Sequence, residues 1–255
     1  MLDIWPGLSE YGYIWVMGNF IVFLTAFLVA LCVNFNFNMI MVGLIYLLPL
    51  VPLGYHAEGG DRFLIVSVQN TLFGLLELLI FAVTVKGGDA TFDKEHIKQL
   101  LGHTLPIALA LVGLSYVARG TMAPVTLAEL ALIATVFFVG FIFRGLAVYQ
   151  IGKSAFKFDI VFRREQRLKV DQLYSLCRHP SYLAMMVVIL AYAVTTHSWL
   201  AGALGLLSAW AGFQYRIHHE EIALEERFGG DYARYRSRTG MWWPRFFRRG
   251  PGSID

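Results

Sequence analysis

Seven apolar runs, at residues 13–33, 39–53, 63–85, 105–118, 125–150, 183–196 and 198–217, constrain what this chain can fold into. A bilayer core of about 30 Å asks for about 20 apolar residues per helical crossing. Inside lipid every peptide group must find its partner within the protein, so such runs become helices. Hydrophobic residues fill 57% of the 255 positions and charged residues only 15%, whereas a soluble domain carries about 25% charged residues. The mean hydropathy of +0.57 agrees. The surplus apolar surface must face lipid, and little chain remains for a separate soluble domain. The pattern predicts an all-α, polytopic integral membrane protein with about seven transmembrane helices.

The second and fourth runs are short and interrupted by Pro49, Pro52 or Pro106, so the pattern leaves open where their helices end. No Lys or Arg precedes the first run, where Asp3 and Glu10 lie, so it reads as a retained span and not as a signal peptide. Cys32 and Cys177 stand in unrelated surroundings, which argues against a disulfide framework or a thiolate metal site. Seven spans with an outside N-terminus put segments 86–104, 151–180 and 218–255 on one side. These hold almost all the basic residues, leaving Arg62 and Arg119 on the other. By the positive-inside rule the basic side is cytoplasmic.

His197 alone separates the last two runs, which makes them a tight helical hairpin. Both feet of that hairpin carry polar residues. Arg178-His179-Pro180-Ser181-Tyr182 leads into the first helix, and Arg216 and Glu220-Glu221 follow the second. Ionisable groups at a bilayer boundary are costly and mark candidate functional sites. Pro180 suits a first helical turn, and a helix start offers N–H groups to an anion.

Arg216 and Glu220, four apart, share a helix face. Glu225 and Glu226 read as a solvated face, whereas Glu220 and Glu221 are candidates for holding an ammonium or sulfonium. Ile217, Leu224 and Phe228 form an apolar stripe that predicts an amphipathic C-terminal helix along the cytoplasmic membrane surface. His218-His219-Glu220-Glu221 lacks the i,i+4 spacing of a zinc helix, so no metal is expected. Glu77, mid-span, is either a functional group or a hydrogen-bonding partner for a neighbouring helix, and Glu129 reads as interfacial. Trp242-Trp243-Pro244 with Arg245, Arg248 and Arg249 reads as an interface anchor, with a cavity wall as the alternative. Neither a phosphate loop, a Ser/His/Asp set nor a nucleic-acid module is visible.

Taken in order, Tyr174, Arg178-His179-Pro180-Ser181-Tyr182, Arg216-Ile217, Glu220-Glu221, Leu224, Phe228-Gly229, Tyr232, Tyr235 and Pro244 resemble the C-terminal signature of isoprenylcysteine carboxyl methyltransferases. Membrane phospholipid methyltransferases share much of it. The likeness covers residues 152–244, and residues 1–150 match only as generic spans. It implies S-adenosyl-L-methionine as cofactor, with S-adenosyl-L-homocysteine as product, bound on the cytoplasmic side by a C-terminal catalytic region, residues 151–255. Residues 1–150 would wall a cavity for a lipophilic acceptor entering from the bilayer. The resemblance assigns Tyr174, His179, Pro180, Ser181, Tyr182 and Glu220 to the cofactor, and Arg178, Arg216 and Glu221 to the reaction. It does not say which arginine meets the cofactor and which the acceptor.

Two positions depart from the family pattern. Gln172 stands where a glycine is usual, and so does Ala184. A carboxylate acceptor needs no base, whereas a thiol or ammonium must first lose a proton. As no residue stands out as a dedicated base, a carboxylate is favoured, with a lipid or another small hydrophobic molecule as the other options. The implied location is a cell inner membrane in a bacterium or the endoplasmic reticulum in a eukaryote. The alternatives are an NADPH-dependent sterol-type reductase, which needs clustered cations for the extra phosphate, and a non-catalytic lipid-binding membrane protein. The sequence is silent on oligomeric state.

Overall fold

The structure, a computed structural model, describes residues 6–51, 60–84, 94–152 and 167–245. In chain order its helices are α1 Pro6–Val33, α2 Phe37–Leu47, α3 Asp61–Thr84, α4 Lys94–Gln99, α5 Leu105–Gly120, α6 Leu127–Ile151, α7 Leu173–Leu176, α8 Pro180–Thr195, α9 Trp199–Phe228 and α10 Gly230–Arg238. Among the described residues the only strand-like feature is a bridge between Cys177 and Gly240. The chain is thus the expected all-α, multi-pass integral membrane protein.

Local chemistry sets the helix starts. Asn36 caps α2 by accepting from the Met39 N–H at 2.8 Å, and Thr126 caps α6 by accepting from the Glu129 N–H at 3.1 Å. Ser198 does the same for α9, from the Ala201 N–H at 3.3 Å. Pro180 opens α8, where its missing N–H costs nothing.

Among the described residues each predicted apolar run is helical over most of its length, but the lengths differ. Among the described residues four helical stretches are long and apolar enough to cross a membrane: Gly12–Val33, Asp61–Thr84, His96–Gly120 and Leu127–Ile151. The second run is short, as expected: α2 has 11 residues and passes into a 3-10 turn at Leu48–Leu50. The fourth is not. Helical backbone runs from α4 through a π segment, Leu100–Thr104, into α5. Pro106 donates no N–H, and the π register, with the Leu105 N–H bonded to the Leu100 carbonyl, carries the helix past it.

The C-terminal surface helix is also placed differently. Residues 216–228 continue α9, one 30-residue helix of about 45 Å. It ends at Gly229, with φ of 50°, before the separate α10. The apolar stripe of Ile217 and Leu224 is therefore partly spent on packing, with Ile217 buried.

Small residues let the helices approach closely, as membrane bundles favour. At Gly140 on α6 an added Cβ would lie 2.8 Å from the Val188 backbone nitrogen and 3.0 Å from the Ala184 carbonyl oxygen of α8. Ala184, at the second position departing from the family pattern, is therefore part of the α6–α8 seam. α9 packs along α5 and α8, and α1 and α2 pack on α3.

The two ends of the bundle are distinct. At one, Arg62 is fully buried and donates to the carbonyls of Ala123 (2.8 Å) and Thr195 (3.0 Å). It also pairs with Glu129 at 2.9 Å and lies 3.1 Å from His197 Nδ1. This locks the hairpin turn, where His197 holds φ of 53°. The other end gathers α4, the start of α8, the end of α9 and residues 239–241.

Candidate active site

The hairpin brings its two feet together as one hydrogen-bonded network. Arg178, just before α8, clasps Glu221 of α9, with Nε and Nη2 at 2.8 and 2.7 Å from Oε1. His179 Nε2 lies 3.2 Å from the same oxygen. One helical step back, Arg216 Nε donates to Glu220 Oε1 at 2.9 Å, and the Tyr182 hydroxyl donates to that same oxygen. Glu220 Oε2 stands 3.7 Å from His179 Nδ1, so it keeps acceptor capacity. Two guanidiniums thus face two carboxylates, and the set is charge-balanced without a ligand.

Glu220 and Glu221 lie beyond the apolar run of α9. Burial alone would raise both carboxyls. For Glu221 the hydrogen bonds from His179 and Arg178, with the guanidinium charge, outweigh it and hold the group down to about 2. For Glu220 the charges of Arg216 and His179 and the bonds from Tyr182 and Arg216 also win, and its pKa is lowered.

Aromatic rings line the network. Tyr182 stacks between His179 and Phe213, with centroids 5.8 and 5.4 Å away. His103, on the π segment, meets Tyr182 edge-on at 6.3 Å, and its Nδ1 lies 3.2 Å from the Gly212 carbonyl. Because a carbonyl only accepts, that contact makes Nδ1 the protonated nitrogen. Trp242 packs on Phe213 and donates to Gln214 Oε1 at 3.2 Å. The two tryptophans have separated: Trp242 walls the site, and Trp243 is 69% exposed.

A C-terminal clip closes the assembly. The Arg178 and His179 N–H groups donate to the Gly240 and Met241 carbonyls at 2.9 and 3.2 Å. Arg178 Nη1 donates to the Thr239 carbonyl. Gly240 is required there, since a Cβ would sit 1.9 Å from the Trp243 carbonyl oxygen.

Tyr174 is buried outside the acid network; its hydroxyl donates to the Ala147 carbonyl at 3.3 Å, and its own carbonyl accepts from Tyr235. Ser181 turns away from the acids, and its hydroxyl accepts from Arg144 Nη1. Glu77 is held by Arg144 as a two-pronged ion pair. Glu225 and Glu226 are exposed, as their solvated reading expected. His219 bonds the Tyr215 carbonyl of its own helix. Arg248 and Arg249 lie outside the described residues. Gln172 keeps the backbone a glycine would adopt, at φ of 56°.

Arg144, Gln99, His103 and the 239–241 clip escaped the sequence reading. Gln99 Oε1 accepts from Arg216 Nη1 at 3.2 Å. Arg144 offered a signal, a lone cation inside an apolar run.

Comparison with known proteins points the same way. Residues 131–226, from α6 to near the end of α9, match the isoprenylcysteine carboxyl methyltransferase (ICMT) family. Protein-S-isoprenylcysteine O-methyltransferase B of Arabidopsis thaliana is 31% identical over 111 residues, covering 41% of this chain and 54% of that protein. The Schizosaccharomyces pombe protein-S-isoprenylcysteine O-methyltransferase is 31% identical over 98 residues, covering 38% and 41%. This chain therefore spans about half or less of these curated relatives. A solved structure of the eukaryotic intramembrane Ras methyltransferase ICMT overlays 95% of both chains with a TM-score of 0.53 at 17% identity, a likeness of fold. The matched segment builds the hairpin and its feet, so over residues 131–226 the chain is similar to the ICMT family in sequence, and its helical bundle resembles the ICMT fold.

Proposed function

We propose that this chain is an S-adenosyl-L-methionine-dependent methyltransferase that methylates a lipophilic acceptor, in first place a carboxylate of the isoprenylcysteine kind. The observation that carries this reading is the charge-balanced Arg178–Glu221 and Arg216–Glu220 network, walled by aromatic rings and built within the matched segment. The residues fit the cofactor's chemistry. Glu220 Oε2 has capacity for an ammonium, and the packed stack of His179, Tyr182 and Phe213 beside it keeps that acid out of bulk water. When bound, the cofactor supplies an electrophilic methyl group on a positively charged sulfur.

The chain's own work is to bind, align and exclude water, because in-line displacement asks little covalent help of a protein. The Arg178–Glu221 clasp, tied to the 239–241 clip, would shape the floor of the pocket. Arg216 would then be the arginine nearer an anionic group of cofactor or acceptor. We place the site on the cytoplasmic face, supported by the basic residues gathered in the segments at that end. The acceptor would arrive laterally from lipid, past the helices of residues 1–150.

Both network arginines already face carboxylates, which leaves them poorly suited to the extra phosphate of NADPH. Calorimetry on the purified chain in nanodiscs should give binding to S-adenosyl-L-homocysteine and not to NADPH; the reverse would overturn the reading. Membranes containing the chain, supplied with methyl-labelled S-adenosyl-L-methionine, should yield a labelled lipophilic product that identifies the acceptor.

A further inference from the structure

A buried ion pair links two helices of the bundle interior. Glu77 of α3 and Arg144 of α6 meet at two points, Nε to Oε1 at 2.7 Å and Nη2 to Oε2 at 2.9 Å. Both residues are 3% exposed and both sit within membrane-spanning helices. Desolvating such a pair commonly cancels its attraction, so apolar residues would hold these helices together as well. Stability alone does not account for it.

The third prong of the same guanidinium leads to the site. Arg144 Nη1 donates to Ser181 Oγ in the first turn of α8. Ser181 lies between His179, which touches Glu221, and Tyr182, which bonds Glu220. Neighbouring residues point about 100° apart around a helix. Holding Ser181 toward α6 therefore sets the rotation that carries Tyr182 toward α9. A planar guanidinium pinned at two atoms by Glu77 is a rigid holder, which a flexible ammonium is not.

We propose that Arg144 is a positioning residue: clamped by Glu77, it grips Ser181 and fixes the first turn of α8 so that His179 and Tyr182 meet the acid pair. The device also ties α3, outside the family-matched segment, to the candidate site. Its consequence for ligand binding rests on the methyltransferase reading, but the placement of the turn does not.

The test uses the full chain in nanodiscs, with Ser181→Ala, Ser181→Thr and Arg144→Lys beside wild type. Amide exchange of residues 182–186 is followed by mass spectrometry, and binding of S-adenosyl-L-homocysteine by calorimetry. Ser181→Ala and Arg144→Lys should speed exchange of that turn about tenfold and weaken binding about tenfold, the effect of losing one charge-assisted hydrogen bond. Ser181→Thr, which keeps the hydroxyl, should restore both. Unchanged exchange in the first two variants, or a rise spread evenly over α3, α6 and α8, would overturn the proposal. Should wild type fail to bind S-adenosyl-L-homocysteine, the cofactor reading falls, and the exchange pattern still decides the role of Arg144.

Discussion

Glu221→Gln removes one charge from the best-satisfied acid of the network and leaves its shape almost intact. The cost can be reached from two directions. The Glu221 carboxyl lies at about 2 against 4.5 for a free glutamate, a gap equivalent to about 3 kcal/mol of stabilisation at neutral pH. Independently, stripping one partner from a buried ion pair costs about 3–5 kcal/mol, and the Arg178 side chain left behind is only 6% exposed. For a chain of this size, about 3 kcal/mol lowers the unfolding midpoint by roughly 6–12 °C. The sign with pH follows from the lowered folded value: the stabilisation is complete above about pH 4.5 and is lost as the pH falls toward 2. At about pH 3 more than half of it is gone, whereas glutamine has none to lose. Thermal unfolding of both proteins in nanodiscs, at pH 7 and pH 3, reads this as a gap in midpoints that closes on acidification. Glu225→Gln, which touches only the exposed pair with Arg236, is the control and should shift the midpoint by less than about 2 °C. Equal midpoints at pH 7, or a gap as wide at pH 3, would refute the electrostatic account of the clasp.

Tyr182→Phe keeps the stack between His179 and Phe213 but deletes the hydrogen bond to Glu220, so S-adenosyl-L-homocysteine affinity in calorimetry should fall about three- to tenfold with the fold retained. Arg62→Leu orphans the acceptors at the hairpin turn, at the far end of the bundle. It should cost about 3–5 kcal/mol in thermal unfolding while leaving ligand affinity of the folded protein unchanged. Gln172→Gly relieves a backbone angle of 56° that a side chain rarely adopts, and should raise stability by about 1 kcal/mol in the same assay.

What the sequence reveals here depends on how far each signal reaches along the chain. Apolar runs and the lone His197 between two of them are local, and they fix the helices and the hairpin; the hairpin then brings Arg178 to Glu221 without further information. Arg144 is harder to read. One arginine among apolar residues looks the same whether its partner is Glu77, 67 positions away, or lipid phosphate. The π segment is more hidden still, because Pro106 in an apolar helix predicts a break, and only the packing of His103 and Gln99 against α9 makes an unbroken wide turn worthwhile. The clip at residues 239–241 leaves no trace in hydropathy, since it is built from backbone carbonyls answering Arg178 and His179. Gln172 shows the converse. Its sequence argues against the glycine-type turn, yet the backbone takes it, because the Tyr174 N–H donating to the Asp171 carbonyl and the Leu173 N–H donating to Gln150 Oε1 fix the loop on either side of Gln172. Residue identity therefore reports well on what one side chain wants from lipid or water. It reports poorly on conformations imposed by partners distant in sequence, and in this chain the groups that set the site's geometry are of that second kind.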